Sequence, residues 1–117
     1  MEFDAAIHAR LLARFRTLPK TAHHERWLLL EAAHVVGQTR FLPHLATHWL
    51  MLGQAGRNRD AGEMAGQVLR LLLVPLGHLS GRLPIGNPGR ANVSAFRPMQ
   101  VRADIAEAIA QATSTIP

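Results

Sequence analysis

A glutamate and three histidines stand at spacings that share helix faces, as Glu31-x-x-His34 and His44-x-x-x-His48. If the chain reverses through Gly37-Gln38-Thr39-Arg40, all four side chains meet inside a helical hairpin. Neutral imidazoles with one carboxylate form a tetrahedral donor set that suits a divalent metal, Zn²⁺ first and then Cu, Fe, Ni or Mn. Gln38 and Trp49 lie beside the set, as groups that would orient the imidazoles. The same residues admit a second reading, a buried hydrogen-bond network that fixes helix register and needs no ion. In either case Glu31 requires a partner, because an unpaired carboxylate on an apolar helix is costly.

The wider sequence narrows the chemistry. No His-Glu-x-x-His segment places a general base beside a zinc-bound water. Only one Glu-x-x-His occurs, and a di-iron carboxylate bundle needs two. Ser94 has no local base to activate it. Gly86-Asn87-Pro88-Gly89 is not followed by the Gly-Lys-Ser/Thr of a phosphate loop. Asn87, Gly89, Asn92 and Ser94 nevertheless mark a loop whose backbone could face an anion or a partner, while Asn87 and Asn92 equally suit side-chain support of turns. The expectation is a non-enzymatic protein that binds or responds to a metal. The alternative is a helical interaction module in which the Glu/His cluster is structural.

Helical periodicity must position these groups. Apolar residues recur at helical spacing over residues 4–16, 22–37, 41–55, from 60 to about 75, and 102–113. Asp4 and Asp60 are candidate N-caps, the second with Glu63 in a capping box, and Thr39 is the candidate cap of the third helix. Pro43 fits a first turn, and Pro75 predicts a bend or an end. The second segment is apolar nearly all round, which predicts a central helix. Trp27 and Trp49 are expected as core anchors and His8 and His78 as ordinary amphipathic-face residues. The architecture expected is all-α: a compact up-down bundle of four main helices over 4–79, an ordered Gly/Pro/Asn loop over 80–100 anchored by Val93, Phe96 and Met99, and a short terminal helix over 101–114.

At 117 residues the chain is expected to form a single domain with a real core, 48% apolar and 18% charged. Cysteine is absent, so thiolate sites and disulfides are excluded. The net charge of +5 comes from 12 Arg and one Lys against eight acidic residues. These arginines are dispersed rather than gathered on one face with aromatics, which argues against nucleic acid. No apolar run reaches the length of a membrane span. A cytoplasmic protein is expected, with an unknown protein partner or a homodimer compatible with the sequence.

Four separated segments also carry a resemblance: Glu31-Ala32-Ala33-His34-Val35-Val36-Gly37-Gln38, His44-x-x-x-His48-Trp49-x-Met51-Leu52, Gly66-Gln67-x-x-Arg70, and Pro84-x-Gly86-Asn87-x-Gly89-x-Ala91-Asn92-Val93-Ser94-x-Phe96-x-Pro98-Met99. In this order, over residues 25–110, they resemble a family of short bacterial helical proteins of unknown function. The family pattern carries Thr and Gly where this chain has Pro88 and Arg90, and Pro where it has Ala95. The resemblance implies a helical fold and implies no activity.

Overall fold

The computed structural model describes residues 2–114 as five helices: α1 Ala5–Thr17, α2 His23–Gly37, α3 Phe41–Arg57, α4 Ala61–Ser80 and α5 Ala103–Ser114. No strand occurs among the described residues, so the all-α expectation holds. Met1 and residues 115–117, which the expected domain includes, lie outside the described residues.

Local chemistry sets the helix ends. Asp4 Oδ1 accepts from the N–H groups of Ala6 at 3.0 Å and Ile7 at 3.1 Å, a cap contributing about 1 kcal/mol. Asp60 Oδ1 accepts from Glu63 N–H at 3.0 Å. Glu63 does not close that capping box; its carboxylate turns to the loop instead. Thr39 does not cap α3: Arg40 takes the N-cap position, with no side-chain cap bond. Nor does Pro75 end α4, which runs through it to Gly81. There a left-handed φ of 74° stops the helix, a conformation glycine adopts without a Cβ penalty.

Each helix packs on its neighbour in sequence, α1 on α2, α2 on α3 and α3 on α4, while α5 lies against both α1 and α2. α2 therefore has helices on several sides, as its apolar circumference predicts. Leu11, Leu30, Met51 and Ile105 are fully buried where these helices meet. Trp27 is buried as expected, and its Nε1–H donates to Asn58 Oδ1 at 2.8 Å. Trp49 is not a core anchor: it is 67% exposed. The inner face of α3 is taken by His44, Thr47, His48, Met51 and Ala55, and a residue roughly 100° beyond His48 falls outside it.

The loop between α4 and α5 is held by polar contacts rather than by the expected apolar anchors; Phe96 is 53% exposed. Asn87 is its hub, buried, with Nδ2 donating to Ser94 O at 2.8 Å and Arg97 O at 3.0 Å while Oδ1 accepts from Gly89 N–H at 2.8 Å. Gln38 pins the loop to α2: its amide donates to Pro84 O at 3.0 Å and accepts from Gly86 N–H at 2.7 Å.

Candidate metal centre

The end of α2 and the first two turns of α3 bring His34, His44 and His48 together, each buried, with one ring nitrogen apiece lying within 4.8 Å of the others. His34 Nε2 and His44 Nε2 are 3.2 Å apart. Two nitrogens at tetrahedral positions on one zinc ion are about 3.3–3.4 Å apart, given Zn–N bonds of about 2.0–2.1 Å. This pair already stands at coordination distance, and with all three nitrogens within 4.8 Å of one another the third ring would close by up to about 1.5 Å to join them.

Hydrogen bonds behind the rings set which nitrogen carries the proton. His34 Nδ1 lies 2.7 Å from the carbonyl oxygen of Asn87, which can only accept. His48 Nδ1 lies 2.7 Å from Gln67 Oε1. The Gln67 amide nitrogen faces two acceptors, Glu63 Oε2 at 2.8 Å and Gly89 O at 2.9 Å, so its oxygen must be the atom facing His48. Both imidazoles are thus protonated at Nδ1, which leaves Nε2 as the lone-pair nitrogen of each, and that of His34 faces His44. His44 Nδ1 lies 3.0 Å from His78 Nε2, where either nitrogen can donate.

Burial, followed by the influence of His48 and His44, holds His34 well below the usual histidine range. Burial with His48 and His78 nearby pushes His44 down to about 3. His48 falls to about 4, chiefly through burial, with the Gln67 hydrogen bond opposing. All three are neutral at physiological pH, the form that ligates a metal.

The other expected site residues lie elsewhere. Glu31 does not join the imidazoles; its carboxylate meets Arg102 Nη1 at 2.9 Å and Arg90 Nη1 at 3.7 Å. Residues three apart on a helix diverge by roughly 60°, enough for α2 to show His34 to α3 and Glu31 to the α5 side. Burial raises the Glu31 carboxyl, against the pull of Arg102 and Arg90. Gln38 supports the loop rather than an imidazole, and Trp49 faces outward. Asn87 and Gly89 face inward and hydrogen-bond each other, whereas Asn92 and Ser94 are exposed. Gln67, His78 and the Asn87 carbonyl support the rings, a role that no spacing in the sequence points to. Gln67 lies in the Gly66-Gln67-x-x-Arg70 segment, and only the structure shows it fully buried on α4.

Gly89 lets the loop close over the rings. Its φ is 89°, and a Cβ there would sit 2.7 Å from the His34 ring. Beside the histidines lies a cavity of about 30 Å³, also walled by Arg70, Val74 and Phe96.

A family model described as a protein of unknown function, DUF3703, matches residues 2–109. The chain belongs to that family. No curated protein and no solved structure matches it. Within the family match fall all three histidines, the loop and most of α5. Among the described residues, no helix is long and apolar enough to cross a membrane.

Proposed function

We propose that this chain is a small metal-binding protein in which His34, His44 and His48 hold one divalent ion through Nε2, with Zn²⁺ the first candidate on donor type. One observation carries the reading: the partners behind His34 and His48 hold Nδ1–H on both rings, which leaves each an Nε2 lone pair, and the three buried rings bring one nitrogen apiece within 4.8 Å of the others. A cation satisfies all three nitrogens together. Copper, iron, nickel and manganese share the imidazole preference and are the alternatives. Cytoplasmic metal handling, as storage or response, fits a chain whose three buried histidines already lie together.

Elemental analysis of untagged protein, followed by calorimetric titration with Zn²⁺, Cu²⁺ and Fe²⁺, tests it. The expected result is close to one ion per chain, lost on His34→Ala, His44→Ala or His48→Ala and retained on Glu31→Ala. A protein that is isolated without metal and refuses all three ions leaves the hydrogen-bond network as the role of the cluster.

A second reading is supported by the outer face of α3 and α4. Leu42 and Trp49, exposed by 70% and 67%, line an open groove with Leu12, Leu45, Leu50 and Leu71. Large apolar groups gathered on one surface mark interaction sites. A protein partner or a second copy would cover them, and light scattering of the purified chain distinguishes the two. This role is compatible with a metal centre on the other face of α3.

A further inference from the structure

Three imidazoles supply three donors, and tetrahedral zinc takes four ligands. The cavity beside them holds about 30 Å³, above the roughly 10–15 Å³ that one water needs. It has room for a group of one to three heavy atoms.

The charged residues that line this space, Arg70 and Arg82, are both cationic. Arg70 lines the cavity and is 6% exposed. Its Nη1 donates to Gly66 O at 3.0 Å and its Nη2 to Val93 O, while Nε has no acceptor. A buried charged donor left unpaired is unfavourable by a few kcal/mol. The nearby carboxylates are committed elsewhere. Glu63 receives Arg90 Nε at 2.7 Å, Ala91 N–H at 2.8 Å and Gln67 Nε2 at 2.8 Å. Glu31 faces Arg102 and Arg90. Glu63 is the one carboxylate that acts on both Arg70 and His48, and it is already shared with Arg90, Ala91 and Gln67, so a divalent ion on three neutral imidazoles would add to positive charge that it only partly balances. Burying such charge uncompensated is strongly disfavoured.

We infer that the fourth coordination position takes a small anion from solution, of the size of hydroxide, azide or formate, attracted by the ion and Arg70 together. This rests on the metal reading above. Arg70 is here a positioning group that attracts the anion and need not touch the metal, and Phe96 and Val74 limit the ligand by size.

The full chain loaded with Co²⁺ tests it through the visible spectrum, which responds to a change of cobalt ligand. Azide is titrated against acetonitrile, a neutral molecule of the same linear shape. The expected result is a saturable spectral change at millimolar azide and a response to acetonitrile at least about tenfold weaker, a difference that shape alone does not give. Arg70→Met should weaken azide by about tenfold or more, and Arg70→Lys by less. Equal response to the two ligands, no response to azide, or a folded Arg70→Met with unchanged azide affinity overturns the inference while leaving the metal site standing. Failure to take up Co²⁺, Zn²⁺ or Cu²⁺ at all overturns both readings. If Arg70→Met does not fold, the azide and acetonitrile contrast in the natural chain decides.

Discussion

His48 Nδ1–H donates to Gln67 Oε1 at 2.7 Å, and the two acceptors facing the Gln67 amide nitrogen leave that oxygen no other orientation. One glutamine on α4 therefore decides which nitrogen a histidine on α3 offers to its neighbours. It also joins the loop to the ring cluster through Gly89 O.

Replacing Gln67 by leucine should damage the site more than its modest change in volume suggests. Glu63 Oε2, Gly89 O and the His48 N–H each lose a partner, and groups left unpaired in the interior destabilise by about 1–3 kcal/mol apiece. Metal affinity should fall by about 10–100-fold, the usual effect of removing a group that orients a ligating histidine. Denaturant titration with and without metal separates the two effects; unchanged affinity would show that His48 keeps its tautomer without help.

Glu31→Gln should lower stability and spare the metal. Its ion pairs are only partly shielded, since the Arg102 side chain is 50% exposed and that of Arg90 24%. A loss of about 1 kcal/mol is expected after allowing for solvent screening. Calorimetry should record unchanged stoichiometry. A variant that no longer takes up the ion would return Glu31 to the ligand set.

Gly89→Ala should lift the loop from the site. A non-glycine residue at φ 89° is strained by about 1–3 kcal/mol, and the methyl meets the His34 ring at 2.7 Å. The expected readout is a lower urea midpoint and faster exchange of loop amides, with α1 and α5 unaffected. Exchange rates equal to those of the natural chain would contradict the placement of this glycine.

Acid should destabilise the protein well above the pH where carboxylates titrate. His34, His44 and His48 have folded pKa values lowered from an ordinary 6.5, to about 3 for His44 and about 4 for His48. Below 6.5 the unfolded chain binds protons that the folded chain refuses, so stability is complete above that value and falls as pH drops toward 4. Three such groups together lose about 3 kcal/mol between pH 6 and 5. Urea midpoints measured on metal-free protein at pH 7.5, 6 and 5 check the slope; a flat profile would mean the rings are solvated. Protons should compete directly with the metal for the folded rings only near pH 4 and below.

Trp49→Glu should leave the fold intact within about 0.5 kcal/mol, as exposed substitutions do. If the α3–α4 face is covered by a second copy, light scattering will show the natural chain as a dimer and the variant as a monomer.

Periodicity and caps sufficed to place the helices, because the 3.6-residue repeat and the Asp4 and Asp60 signals act within a few residues of themselves. The pairing of His34 with His44 and His48 was likewise legible: a short reversal at residues 37–40 forces neighbouring helices together. Glu31 was not, since its partners Arg90 and Arg102 lie about 60 or 70 positions away and only the packing of α5 and the loop on α2 brings them near. Trp49 and Leu42 look like core residues by type, and whether a face of α3 is covered depends on where α4 lies. Gln67, His78 and the Asn87 carbonyl became visible only in three dimensions. Side-chain type and spacing choose which atoms can donate or ligate, whereas contacts between distant segments decide which of them meet, and those contacts are set by the packing of the whole chain.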